Sequence, residues 1–382
     1  MPQSGRFTPP PQQTVIYGRP VAEALEAELA SLGARRVVFV TNTSLAQPGG
    51  LADTVVAALG QRAIVRVVGV GAHSPRGDVL RMAATMREHN ADVVVAFGGG
   101  SVCDATKVAR LCLSNAVTTL DDIARLRAPA PQAKPPTLPY ISIPTTLSAG
   151  EFTRYAGVTD ERIQRKELFW HADAAPNVVI LDAAMTTATP PRLWFGTGIR
   201  AIDHAVETWC SVNVTPVVEA TSLHALRLLA PALRACQADN TALAPRLDAL
   251  IGAWLSIQGV ATGVDLGASH GIGHMLGGTA GMPHGETSCV MLPHVLRYNV
   301  TVNADRQASL AAAMGSPDTP AADLVQALVA SLDLPGRLRD ANVPRDLLPR
   351  IAEESMRDMW IPTNPRPITN ASQVLALLEA AW

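Results

Sequence analysis

The stretch "VVVAFGGGSVCDATKVAR", residues 93–110, constrains the fold more than any other. It reads as a buried apolar strand, a turn of three glycines and a helix. The first half of the chain repeats that alternation. "TVIYG", "RRVVFVTN", "AIVRVVGV", "LPYISIPTT" and "NVVILD" are short apolar runs. "VAEALEAELASLG", "LADTVVAALG", "VLRMAATMREHN" and "ATKVARLCLSN" have helical spacing. Strands alternating with helices specify a parallel, doubly wound sheet. From about residue 186 clear strands are absent and helices dominate, "SLHALRLLAPALRACQ", "RLDALIGAWLSIQGVATG", "ADLVQALVASLDL", "DLLPRIAEESMRDM" and "SQVLALLEAAW" among them. The expected organisation is an α/β domain over residues 1–185 and an all-helical domain over 186–382. A chain of 382 residues exceeds one typical core, which suits two domains.

The balance of 48% hydrophobic and 17% charged residues is that of an ordinary globular chain. The net charge of -2 and the lack of a basic run argue against nucleic acid and membrane surfaces as partners. No apolar run is long enough to span a bilayer. The N-terminal "MPQSGRFTPPPQQ" is polar and proline-rich, without a signal core, so a cytoplasmic protein is expected. The five cysteines form no CxxC pair and read as free thiols. Only three lysines occur, Lys107, Lys134 and Lys166. Where arginine supplies nearly all positive charge, a retained lysine invites a chemical role as a compact ammonium.

Gly98, Gly99, Gly100 and Ser101 lie between the strand and the helix of the opening stretch. Glycines let a backbone approach an anion, and a helix N-terminus offers free N–H groups. Three in a row exceed what a plain turn needs, so this is a candidate pyrophosphate site, though neither GxGxxG nor a P-loop. Asp104 follows near the helix start, where it suits either a cofactor contact or the helix dipole. Asn42 ends an earlier strand at a place where dinucleotide sites keep an acid that repels a 2′-phosphate. Being uncharged, it leaves both NAD and NADP open. Thr145, Thr146 and Ser148 in "SIPTTLSAGEFT" line either a nucleotide cleft or an ordinary turn.

"ASHGIGHMLGGTAGMPHGETS" places His270 and His274 on one helical face, with His284 beyond a glycine-rich connection. Three of the chain's nine histidines within fifteen residues point to a metal or proton-transfer site. His204 in "GIRAIDHAVETW" stands on a separate helix and by itself reads more readily as structural than as catalytic.

Taken together, "GGGSVCDATK", "PTTLSAGEFT", "GIRAIDHAVE", "HGIGHMLGGTAGMPHGE" and "TNPRPIT" resemble the iron-containing (group III) alcohol dehydrogenases, in order and spacing, over nearly the whole chain. The resemblance implies a Rossmann-like N-terminal domain and a helical C-terminal domain, the dehydroquinate-synthase-like fold, with nicotinamide and substrate in a cleft between them. It also implies Lys166 near the nicotinamide. The shorter "PTTLSAGE" loop is similar to that of maleylacetate reductases, a branch acting in aromatic catabolism. In metal-using members an aspartate, a helix histidine four residues on, and two later histidines hold iron or zinc. The histidines carry over as His204, His270 and His284.

The aspartate position is Arg200, whose charge opposes a cation. Asp203, about 100° around the helix from His204, is the remaining acid that an irregular helix start would bring to a metal. Arg200 either pairs with Glu207 or Asp203 or grips a carboxylate with its planar fork. The expected function is therefore NAD(P)H-dependent reduction of a small anionic enone or carbonyl acid. Arg200 and Lys166 hold the anion, His274 relays the proton, and His204, His270 and His284 donate hydrogen bonds if no metal is present. The expected assembly is a homodimer. One rival is a metal-dependent alcohol dehydrogenase or aldehyde reductase of the same family. Another is a dehydroquinate-synthase-like lyase, which would consume no NAD(P)H. A non-catalytic nucleotide-binding protein is the last.

Overall fold

The structure, a computed structural model, describes residues 13–163 and 165–382. The N-terminal segment read for a signal core lies, up to residue 12, outside the described residues. The chain divides between Thr189 and Pro190 into two units. The expected boundary was 185. The turn Ala183–Thr186 and Thr189 stay with the first unit because the Thr189 hydroxyl donates to the Thr145 carbonyl at 2.7 Å.

The first unit contains strands β1 (Thr14–Tyr17), β2 (Arg36–Thr41), β3 (Ala63–Val68), β4 (Val93–Gly98), β5 (Tyr140–Pro144), β6 (Tyr155–Asp160), β7 (Arg165–Trp170) and β8 (Val178–Leu181). Its long helices are α1 (Val21–Ser31), α2 (Leu51–Ala58), α3 (Arg76–Glu88) and α4 (Gly100–Ser114). Six strands form one sheet in the order β1-β8-β5-β4-β2-β3, every pairing parallel. Alternation along β4 explains why helices cover both faces. Val93, Val95 and Phe97 pack with Leu25 and Leu29 of α1 and Val55 of α2. Val94 and Ala96 pack with Met82 and Met86 of α3 and Val108 of α4. A strand buried on both faces has no polar positions, hence its unbroken apolar run.

The strand order reverses between β2 and β4, which pair with Thr41 opposite Phe97. Ligands of open parallel sheets bind at such a switch point, beyond the carboxyl ends of the strands. Asn42 and Gly98–Gly100 stand at those two ends.

The sequence reading contained no counterpart to the antiparallel hairpin β6–β7, with Thr159 opposite Lys166. Two anchors fix it. Asp104 of α4 accepts from the Gly157 N–H at 2.9 Å, and the Lys107 ammonium donates to the Tyr155 and Gly150 carbonyls at 2.7 and 2.6 Å. On α3, buried Arg76 pairs with Asp160 at 2.8 Å and with Glu167.

The second unit is helical: α5 (Pro191–Cys210), α6 (Pro216–Ala238), α7 (Leu243–Ser256), α8 (Gln258–Ala261), α9 (Ala268–Ala280), α10 (His284–Ala313), α11 (Ala321–Ser331), α12 (Leu348–Ser355) and α13 (Ala371–Ala380). Every residue of α5 from Trp194 to Cys210 is buried, so α5 is the axis of this unit. It crosses α10 at close range. A Cβ on Gly285 would meet the Gly196 carbonyl carbon at 2.5 Å, a distance only glycine permits. The five cysteines are free and buried. Among the described residues no helix is long and apolar enough to cross a membrane.

Candidate functional site

In the first unit the loop after β5 lies against the glycine turn. The Thr145 N–H donates to the Gly98 carbonyl at 3.1 Å, and the Thr146 and Ser148 hydroxyls meet at 2.8 Å. A Cβ on Gly99 would sit 2.9 Å from Thr146 Cγ2, and one on Gly100 would sit 3.2 Å from Ser148 Oγ. The glycines and the threonine loop therefore build one backbone-lined cradle at the N-terminus of α4, suited to a diphosphate. Ser101 Oγ accepts from the His73 N–H at 3.0 Å, which ties the loop after β3 to the same turn. Asn42 uses its side-chain oxygen on Ser44 and on the Leu45 N–H, both at 3.0 Å. Asp104, expected beside the cofactor, accepts from the Gly157 N–H of the hairpin. Lys166 is exposed, with its stem across Gly157.

In the second unit α5 places Arg200, Asp203, His204 and Glu207 on one stripe, at i, i+3, i+4 and i+7. All four are buried. The N-terminus of α9 meets this stripe. Glu207 accepts from the N–H groups of Gly267, Ser269 and His270 at 3.0, 2.8 and 3.3 Å, and lies 2.8 Å from His270 Nδ1. Asn364 accepts from the Ala268 N–H at 3.2 Å, so the first four N–H groups of the α9 start are all satisfied. Asp203 accepts from the hydroxyls of Ser269 and Ser288 at 2.8 and 2.6 Å. Burial, with the neighbouring charge of Glu207, pushes Asp203 well above the usual carboxylate range. Burial also pushes Glu207 up to about 7 against the pull of its N–H partners.

Arg200 donates to Ser288 Oγ at 3.4 Å and, among the described residues, forms no ion pair. Neither partner that the sequence offered takes it, because Glu207 and Asp203 face the α9 start. Burial lowers the guanidinium pKa while both carboxylates offset the effect. A buried guanidinium with no carboxylate in contact, offset only by the more distant Asp203 and Glu207, has its fork available for an added acceptor. The ring of His204 lies 4.9 Å from that of His270. Among the described residues, buried His204 Nδ1 and His270 Nε2 have no hydrogen-bond partner. Burial first, then His270 and Arg200, holds His204 well below the histidine range, and burial, Arg200 and His274 do the same for His270. One turn on, His274 Nδ1 is 2.8 Å from Asp358 and its ring stacks on His284 at 5.5 Å.

The expected metal ligands do not converge as expected. Among the described residues, the only group of three or more histidine, cysteine or acidic residues with ligand atoms within 4.8 Å of one another is Asp203, Glu207 and His270. His204 and His284 are outside it, since His284 packs on His274. Asp203 Oδ2 and both Glu207 oxygens are taken by hydroxyl and N–H donors, Asp203 Oδ1 is buried without a partner among the described residues, and the charge of Arg200 lies beside them. This donor set does not fit a divalent cation held by His204, His270 and His284. His270 Nδ1 is taken up by Glu207, so only Nε2 of that ring is left to face a ligand. Glu207, Ser269, Ser288, Asn364 and Asp358 carried no assigned role in the site from sequence. Only the proximity of Glu207 to Arg200 on a helix hinted at it.

Residues 11–183 match the family described as iron-containing alcohol dehydrogenase, and residues 195–382 match the Fe-containing alcohol dehydrogenase family, C-terminal. The chain belongs to the iron-containing alcohol dehydrogenase family. It is 32% identical to dehydrogenase FUM7 of Gibberella moniliformis, over 96% of each chain. It is 30% identical to a maleylacetate reductase of Sphingobium indicum, over 96% of this chain and 94% of that one. The solved structure of a 1,3-propanediol oxidoreductase superposes over all of both chains with a TM-score of 0.89 at 26% identity. The chain is accordingly an NAD(P)-dependent oxidoreductase of the iron-containing alcohol dehydrogenase family, with that family's parallel-sheet and helical domains.

Proposed function

We propose that the chain is a maleylacetate reductase-like enzyme, which uses NAD(P)H to reduce a small carboxylated enone or carbonyl compound in aromatic catabolism. The observation that carries this reading is Arg200, a buried guanidinium without a carboxylate partner beside two neutral histidines. The fork of Arg200 binds the substrate carboxylate and polarises the adjacent oxygen. Ser288, held by Asp203, limits where that fork points. Gly98–Gly100, Ser101, Thr145, Thr146 and Ser148 hold the dinucleotide, with Asn42 toward its ribose and Lys166 toward the nicotinamide end. When bound, NAD(P)H supplies the hydride. His274, whose Nδ1 is held by Asp358 and whose ring is partly exposed, passes a proton through Nε2. The enzyme works as a cytoplasmic homodimer on a free anionic metabolite.

The test is nicotinamide oxidation by purified enzyme with maleylacetate, with lactaldehyde as the uncharged comparison, together with metal content before and after chelation. Turnover of maleylacetate by metal-free enzyme is expected. One specific observation favours a second reading, a metal-dependent aldehyde reductase: the convergence of Asp203, Glu207 and His270. One tightly held ion per chain, with activity lost on chelation and lactaldehyde preferred, would establish it instead.

A further inference from the structure

We propose that Glu207 is a positioning residue: it holds His270 as the tautomer with hydrogen on Nδ1 and a bare Nε2. The inference rests on the reading that the α5–α9 cluster receives the substrate.

Glu207 lies one turn along α5 from Asp203, yet its partners are sixty and more positions away. Three backbone N–H groups converge on its two oxygens. Backbone N–H groups can only donate, so the carboxyl group meets them as an acceptor. Its Oε2 faces His270 Nδ1 at 2.8 Å, and the acceptor role extends to that contact. The hydrogen between the two atoms therefore belongs to Nδ1. A neutral imidazole carries one hydrogen, so Nε2 is left with a lone pair. That atom is buried and without a protein partner. The helix start, the carboxylate and the imidazole thus form a single piece. Gly267 is part of it, since a Cβ there would lie 2.9 Å from Glu207 Oε1 and 3.0 Å from Asn364 Oδ1.

The pairing has a chemical consequence. Arg200 offers only hydrogens, whereas His270 Nε2 offers only a lone pair. The two groups recognise a ligand that carries an acceptor and a donor, such as a carboxylate or carbonyl oxygen together with a hydroxyl or enol O–H. A ligand without such a hydrogen leaves Nε2 unsatisfied. His270 in the other tautomer would present a hydrogen to the same place and would no longer accept that O–H.

The deciding measurement is a long-range 1H–15N spectrum of full-length protein labelled at histidine, without substrate or cofactor, with His270 assigned from the H270Q spectrum. Wild type is expected to show a protonated Nδ1 and an unprotonated Nε2. Glu207→Gln keeps that pattern, because its amide oxygen at the Oε2 position retains three of the four donors. Glu207→Ala shifts hydrogen to Nε2. In turnover, Glu207→Ala lowers kcat about 10- to 100-fold with KM changed little, the scale seen when a carboxylate that orients a histidine is removed. A wild-type spectrum with hydrogen on Nε2, or an alanine variant with the wild-type pattern, overturns the proposal. If the alanine variant does not fold, the wild-type and glutamine spectra decide. A wild-type enzyme that gives the expected spectrum but does not oxidise NAD(P)H with maleylacetate tells against the proposed reaction and not against Glu207.

Discussion

Arg200 and Ser288 meet across α5 and α10 at 3.4 Å, and through Ser288 the guanidinium is tied to Asp203, whose carboxyl accepts the same hydroxyl at 2.6 Å. The arginine is thus aimed without being neutralised. Arg200→Ala should lower kcat/KM for maleylacetate about 100-fold, because a hydrogen bond to a charged group is worth roughly 1.5–3 kcal/mol. Arg200→Lys should retain part of the activity, as a point charge lacking the fork. Steady-state kinetics on both variants checks this. An alanine variant with wild-type kinetics would remove Arg200 from the site.

The close approach of the glycine turn to the threonine loop, where the dinucleotide is proposed to lie, depends on the absence of a side chain at Gly99. In Gly99→Ala the new methyl meets Thr146 Cγ2 at 2.9 Å and Oγ1 at 3.2 Å, so the threonine loop must shift. NADH affinity, followed by fluorescence titration, should fall about tenfold or more, a change of about 1.4 kcal/mol. Unchanged affinity would show that the cofactor does not lie on this turn.

Burial pushes Glu151 from its usual 4.5 up to about 7, with Lys107 opposing. The folded form therefore keeps a proton that the unfolded chain releases, and stability falls as pH rises from the lower value to the higher. Below 4.5 both states are protonated, and above about 7 the full penalty is present. Glu151→Gln removes the titration, so urea unfolding should show the variant gaining on wild type by about 2 kcal/mol between about pH 5 and about pH 8. A parallel decline in the two proteins would contradict this.

Arg76 is the buried tie between α3 and the hairpin. Arg76→Met leaves Asp160 and Glu167 to the half-exposed Arg162 and Arg127. Breaking a buried pair from one side costs about 3–5 kcal/mol. Chemical denaturation should register a loss of that order. A loss below about 1 kcal/mol would mean that the outer arginines suffice.

The parallel sheet was legible because burial on both faces leaves mostly apolar side chains in β2, β4 and β5. The hairpin was not, because β7 reads "RKELFW" and its buried Glu167 is explained by Arg76, ninety-one positions away, and by Arg127, forty positions away. The glycine turn and the threonine loop were each visible as motifs, and only the register of β4 with β5 puts them in contact. The same holds in the helical unit. Arg200 stood out as a charge in an unexpected position. Glu207 looked like its partner on the helix, because nothing local reveals that the start of α9 arrives there. His284 was grouped with His204 and His270 through the family resemblance, but its packing on His274 is a tertiary matter.

One helix, α5, holds an unbroken run of buried residues from Trp194 to Cys210 and carries Arg200, Asp203, His204 and Glu207 along a single stripe. Its backbone is fixed by neighbours on every side, and Asp203 and Glu207 hold the start of α9, so exchanging Arg200 alters the charge of the site while leaving that frame in place. One codon on α5 thus sets the charge that faces His204 and His270, without any rebuilding of the domain.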